Sequence, residues 1–215
     1  MDLQDYFGIR ATSPADALTL AAGSSNAKEV VLLLDSGVHI DSVGLRSKTT
    51  ALCSAVSIGS VKMVKSLLEK GASVDVLGDN DMTPLVHACS RGKKIGFEMS
   101  LLLLDAGADV NSVRKGDDQT PLKFSIHGVN PDLVRLLLER GAEVDGPEGT
   151  SQTALMLAAR NDFVDALPIL VEFGADPQRK CGLKWAEGRT ALGLAEFEKR
   201  KKSIAYLKSL SNNVG

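Results

Sequence analysis

A threonine-led triad recurs along this chain of 215 residues: Thr50-Ala51-Leu52, Thr83-Pro84-Leu85, Thr120-Pro121-Leu122, Thr153-Ala154-Leu155 and Thr190-Ala191-Leu192, spaced 33, 37, 33 and 37 residues apart. A second landmark keeps the same beat at Gly37, Gly71-Ala72, Gly107-Ala108, Gly141-Ala142 and Gly174-Ala175. Self-similarity at this period belongs to repeat architectures, in which each unit is one supersecondary element that buries its apolar face only against its neighbours. A chain of this kind is expected to work through the surface of the stack.

Within one unit the residue chemistry dictates the local fold. In Thr83-Pro84-Leu85 the threonine can cap a helix, the proline takes the first helical position, where its missing N–H matters least, and the leucine opens a buried stripe. A second helix follows, as at Val61, Val64, Leu67 and Leu68, where apolar residues recur at three- and four-residue steps. Gly71 can take the left-handed conformation that ends it. The stretch Ala72-Ser73-Val74-Asp75 then runs extended, through polar turn residues, to the next threonine. One unit therefore reads as helix, turn, helix and hairpin-like loop.

These residues resemble the ankyrin repeat, whose pattern runs roughly Thr-Pro-Leu-His, Ala-Ala, Val, Leu-Leu, Gly-Ala-Asp-Val-Asn. The third unit is nearest to it, with Thr83-Pro84-Leu85, Ala88, Leu102, Leu103, Leu104 and Gly107-Ala108-Asp109-Val110-Asn111. The resemblance covers about Asp16 to Leu207 and implies an all-α ankyrin-repeat solenoid of stacked helix-turn-helix units with β-hairpin-like loops. It lays out a single domain over 1–215: an N-terminal cap segment at 1–15, repeats at 16–49, 50–82, 83–119, 120–152 and 153–189, a C-terminal cap repeat at 190–210 and a frayed tail at 211–215. The family's motif histidine, which ties neighbouring units by hydrogen bonds, is missing; its slots hold Thr19, Cys53, Val86, Lys123, Met156 and Gly193. The expectation is an array without that polar network, held mainly by apolar burial.

Two units are longer than the rest. From threonine to glycine the distance is 21 residues in the second, fourth and fifth units and 24 in the third, which predicts a longer helix-helix turn near Gly92 to Phe97. From Gly174 to Thr190 the connection takes 16 residues where Gly71 to Thr83 takes 12, so the loop holding Arg179, Lys180, Cys181, Lys184 and Trp185 reads as an enlarged finger. Insertions in repeat arrays map to loops on one face, often the binding face. The competing reading is tolerated lengthening of a loop at small entropic cost. At the amino end, Leu3, Tyr6, Phe7 and Ile9 suit a short helix covering the first unit; the rival reading is a free docking peptide.

Charge is nearly balanced, with a formal net value of -2, but unevenly placed. Between Arg179 and Lys208 nine basic residues face three acids, and the run Lys199-Arg200-Lys201-Lys202 lies within this stretch. That run reads either as a solvated cap face or as a nuclear address or phosphate-contacting patch; it lacks the interleaved aromatics of single-strand binders. Three cysteines without metal-ligand spacing predict free thiols in a reducing compartment. The acidic start Met1-Asp2-Leu3-Gln4-Asp5 and the absence of long apolar runs predict a cytoplasmic chain, with the nucleus as an alternative, and no membrane association.

Catalytic signatures are wanting. His39, His87 and His127 fall in different units, with no zinc-protease, nucleophile-elbow or phosphate-loop pattern, so no catalytic residue, metal or cofactor is assigned. Cys53 and Cys89 match interior positions, and His87 reads as a packed, hydrogen-bonded ring. Cys181, in the basic finger, is the one position where nearby lysines could activate a thiol. The resemblance instead implies recognition of a protein along the groove formed by loop fingertips and first helices. Carried over residue by residue, its slots fall on Arg46, Ser57, Asn80, Met82, Arg91, Gln119, His127, Arg160, Asn161, Trp185 and Arg189, with Trp185, Arg160 and His127 foremost. Trp185 could instead pack against its own finger. The expected function is a non-catalytic, monomeric binding protein with one protein partner, an inhibitor of immunity type or an adaptor. The alternative is a nuclear or nucleic-acid-associated factor using Lys199 to Lys202.

Overall fold

The computed structural model describes residues 13–78, 81–91, 93–114, 118–147 and 150–212, which hold twelve α-helices, one short 3-10 helix and no strand. The chain divides into two compact units, Met1–Asp109 and Val110–Gly215. The first contains α1 (Pro14–Gly23), α2 (Ala27–Asp35), α3 (Ala51–Ile58), α4 (Val61–Glu69), α5 (Pro84–Cys89) and α6 (Lys93–Asp105). Here α3 packs on α1, α4 and α5, and α6 packs on α4 and α5. The second contains α7 (Pro121–His127), α8 (Pro131–Glu139), α9 (Ala154–Arg160), α10 (Ala166–Glu172), α11 (Ala191–Phe197) and α12 (Lys201–Asn212). In it α9 is central, packing on α7, α10, α11 and α12.

The two sequence landmarks are the helix punctuation. Each triad threonine caps a first helix: Thr50, Thr83, Thr120, Thr153 and Thr190 accept the backbone N–H three residues on, at 3.2 to 3.4 Å. Each second-helix glycine takes φ between 84° and 94°, and at Gly37, Gly71, Gly107, Gly141 and Gly174 a Cβ would meet nothing, so backbone conformation alone demands glycine. Four residues before each, Leu33, Leu67, Leu103, Leu137 and Leu170 are fully buried, as are Leu52, Leu85, Leu122 and Leu155 on the first helices. The loops between repeats close with backbone bonds such as Gly78 N–H to Met82 O at 2.8 Å and Arg114 N–H to Gln119 O at 2.9 Å.

Consecutive loops are stapled by one recurring acid or amide. Asp41 accepts from Ser73 N–H at 2.9 Å, Asp75 from Asp109 N–H at 3.2 Å, Asn111 from Glu143 N–H at 2.8 Å and Asp145 from Asp176 N–H at 3.2 Å. Asn111 also donates to Gly141 O at 3.1 Å, so one side chain holds both sides of the next turn. Asn111→Ala is expected to cost about 1–2 kcal/mol, the net worth of two exposed hydrogen bonds, and Asn111→Asp less because the acceptor survives. Thermal denaturation checks the order of the three midpoints, and amide exchange at Glu143 should accelerate in the alanine variant.

Several expectations are corrected. The added length of the third unit goes into its second helix: α6 has 13 residues against nine in α8, while α5 has six against seven in α7. Gly96, inside that added turn, approaches α5 so closely that a Cβ would lie 2.8 Å from Ala88 O and 2.9 Å from Arg91 O. The first helix begins within the span assigned to the N-terminal cap, because Ser13 caps it at 3.1 Å and Pro14 opens it. Leu3, Tyr6, Phe7 and Ile9 lie outside the described residues. Asn212 ends α12, so the tail that begins at 211 starts as helix, and 213–215 lie outside the described residues.

The motif-histidine slots keep polar ties despite the missing histidine. Thr19 Oγ1 lies 3.2 Å from Ser47 Oγ, and Cys53 Sγ donates to Val76 O at 3.7 Å. Lys123 is 1% exposed and its ammonium donates to Asp118 O at 2.6 Å while pairing with Asp118 Oδ1 at 3.1 Å. Val86 and Met156 fill their slots as buried apolar residues.

Candidate partner-binding surface

In the second unit the first helices end on a row of related positions. Counting seven residues from each threonine gives His127 on α7, Arg160 on α9 and Phe197 on α11. The enlarged finger rises beside this row. It carries the 3-10 helix Lys184–Ala186, closes through Cys181 N–H to Arg189 O at 2.9 Å, leans on the preceding loop through Gly182 N–H to Ser151 O at 2.7 Å, and has Cys181 and Ala186 buried.

That finger delivers Trp185 onto the helix ends. The Arg160 guanidinium lies 4.9 Å from the Trp185 ring centroid, Phe197 stands 6.3 Å from Trp185 at 42°, and Arg189 lies 4.7 Å from the Phe197 centroid. Cation–π contacts of this kind hold rings and guanidinium groups in register. Trp185 is 43% exposed and Phe197 55%, so the rings meet one another and still present apolar surface to solvent. Glu198 pairs with Arg160 at 3.3 Å, and Glu187 with Arg189 at 3.0 Å. Arg200 donates to Arg160 O at 2.8 Å and closes the end of α9. Further along, Arg114 lies 5.7 Å from the Phe124 centroid, and Phe124 meets the His127 ring edge-on at 6.4 Å. Partial desolvation, then the charge of Arg160, hold the His127 imidazole below its ordinary range, so the ring favours its neutral form.

Of the positions carried over from the resemblance, the structure brings Trp185, Arg160 and Arg189 together, with His127 within the electrostatic reach of Arg160. Asn161 is exposed beside them at the end of α9. Gln119 is half-buried at its fingertip, where its carbonyl closes the loop. In the first unit, Arg91 reaches back to Ser57 O, Ser57 Oγ lies 3.5 Å from His87 Nδ1, and a shallow cavity of about 420 Å³ opens beside Ser57, Ile58, Thr19 and Leu20. Arg46 is exposed and its N–H donates to the buried Asp16 carboxylate at 3.0 Å; Met82 is half-buried at its loop. Asn80 lies outside the described residues.

Phe197, Phe124 and Arg114 are not among the positions that the repeat pattern nominates. Phe197 does carry a signal, since it sits as far from Thr190 as Arg160 does from Thr153; assigning the last unit purely to a cap hides it. Cys181 is corrected in the other direction. It is 3% exposed, which withholds the thiol from reagents instead of placing it in a reactive loop. Burial pushes the Cys89 thiol up to about 12, so it stays protonated. His39 is exposed, its ring accepting from Asp41 N–H at 3.2 Å. Among the described residues no group of His, Cys, Asp and Glu could hold a metal ion, and no helix is long and apolar enough to cross a membrane.

The chain is similar in sequence to several known proteins. The chain is 32% identical over 133 residues to the ankyrin repeat and KH domain-containing protein mask-1 of Caenorhabditis elegans, covering 61% of this chain and 5% of that protein. It is 35% identical over 85 residues to human ankyrin repeat domain-containing protein 63, covering 37% of this chain and 22% of that protein. Against protein glp-1 of Caenorhabditis elegans it is 26% identical over 206 residues, 91% of this chain and 16% of the relative. The matched stretch is thus a small part of each relative. The family model for ankyrin repeats in three copies matches residues 62–148, 96–181 and 130–214. By that match, and by the capped helix pairs and glycine terminators already described, the chain belongs to the ankyrin-repeat family, a family of protein-interaction modules.

Proposed function

We propose that this chain binds a cognate protein through the face of its second unit that carries His127, Arg160, Trp185, Phe197 and Arg189, and acts by occupying that partner as an inhibitor or adaptor. The observation that carries the reading is the exposed Trp185 and Phe197 pair, clamped by Arg160 at the end of α9 and by Arg189 of the finger. Tryptophan and arginine dominate interface hot spots, and a platform ordered before contact loses little conformational entropy on binding. A partner covering it together with the neighbouring fingertips would bury about 800 Å² a side, the area a stable complex requires.

Replacing Trp185, Arg160 and His127 together by alanine tests the reading. With folding confirmed by circular dichroism, the partner that co-purifies with the parent chain should be lost, since central anchors cost about 2 kcal/mol or more each. Trp185→Ala alone, which breaks no ion pair, should weaken the same partner. Unchanged capture by both variants removes this surface as the binding site.

A further inference from the structure

Between Arg179 and Lys208 every acid is paired and most of the cations are not; the end of α9 adds one further acid, Asp162, which accepts from Ser203 at 2.8 Å. Between Arg179 and Lys208 the three acids are Glu187, Glu196 and Glu198, and they pair with Arg189, Lys208 and Arg160 at 3.0, 2.9 and 3.3 Å. Lys180, Lys184, Lys199, Lys201 and Lys202 are exposed and make no ion pair among the described residues. Lys184 directly precedes Trp185 on the 3-10 helix, and Lys199 follows Phe197 by two residues, so each element that carries an exposed ring also carries an exposed lysine outside any ion pair among the described residues.

From this arrangement we infer that the site takes an acidic segment of its protein partner, with an apolar side chain of that segment seated on Trp185 and Phe197 and its carboxylates against the flanking lysines. The inference rests on the reading of this face as the partner surface and adds the partner's chemistry. The field complements an acidic chain and repels a basic one, which sets encounter rate and selectivity. Ring geometry separates a peptide from single-stranded nucleic acid. Successive bases stack on parallel aromatic faces, whereas Trp185 and Phe197 are inclined at 42° and each has a guanidinium over its ring. Two inclined rings form a notch suited to one aliphatic or aromatic side chain.

Trp185 is the single tryptophan of the chain, so its emission reports this site alone. The experiment selects a random dodecapeptide library on the immobilised full chain, then titrates the enriched peptides, and separately an oligothymidylate of about ten nucleotides, against Trp185 emission. The expected enriched peptides are net negative with at least one large apolar residue, and they shift the emission. Their affinity should fall about tenfold on going from about 50 to about 300 mM salt. It should fall at least about tenfold in Lys180→Glu/Lys184→Glu, whose exposed positions leave the fold intact. Enrichment of neutral or basic peptides, enrichment of none, acidic peptides that leave Trp185 silent, or a response to oligothymidylate alone would each overturn the inference. If the alanine triple variant loses its partner while the enriched peptides are not acidic, the partner surface stands and only its proposed chemistry falls. Capture unchanged in that variant removes the surface itself.

Discussion

Leu155→Ala is expected to lower the stability of the chain by about 2–5 kcal/mol, nearer the upper figure than Leu85→Ala. Both side chains are fully buried, so each loses the same transfer free energy. The difference lies in how far the cavity can collapse. Leu155 sits on α9, which is packed by α7, α10, α11 and α12 and has little freedom to relax inward. Leu85 sits on α5, a six-residue helix packed by α3 and α6, which can shift at lower cost. Because repeat proteins sum nearest-neighbour terms, the damage should stay local. Amides of α7, α9 and α11 should exchange faster in Leu155→Ala, while those of α1 and α2 keep the parent's protection. Denaturant midpoints equal to the parent's in both variants would show that the core is misassigned, and uniform loss of protection would show that the array unfolds as one block.

The same locality explains how much of the molecule is legible in its amino-acid sequence. The roles of Thr50 through Thr190 and Gly37 through Gly174 can be read directly, because capping and left-handed termination are requirements of single backbone positions. The added residues of the third unit are harder to place, since length alone does not say whether a turn or a helix absorbs it. In the folded chain α6 absorbs them, and only a residue as small as Gly96 permits that close approach to α5. The burial of Cys181 is likewise hidden, because it depends on how the finger lies against its surroundings, among them Ser151, whose carbonyl accepts from Gly182 N–H. For the surface, the repeat phase gives the positions of Arg160 and Trp185 but not their stacking. That contact depends on the 3-10 helix turning Trp185 toward α9, a tertiary outcome with no local code.

The buried lysine yields the other large effect. Lys123→Met should destabilise the chain by about 2–3 kcal/mol, somewhat under the usual penalty for breaking a buried ion pair because Asp118 is 31% exposed and can regain water. Burial opposes ionisation of Asp118, but the Ser151 N–H at 2.8 Å and the Lys123 ammonium outweigh it, so the carboxyl lies below its ordinary range. A carboxylate whose folded pKa is depressed contributes stability that is complete above the unfolded value, near about 4, and is lost as pH falls through the folded value. The stability gap between the parent and Asp118→Asn should therefore be wide at neutral pH, begin to narrow as pH falls below about 4, and close once pH has passed the lower folded value, where the protonated acid resembles the amide. Urea unfolding of the parent, both single variants and the double variant, repeated across that range, measures the gap together with the coupling between the two residues. A gap that does not change with pH, or a double variant whose cost is the sum of the single ones, would mean that Lys123 is held in α7 by packing of its aliphatic stem and that the charge pair tying the helix to its finger contributes nothing.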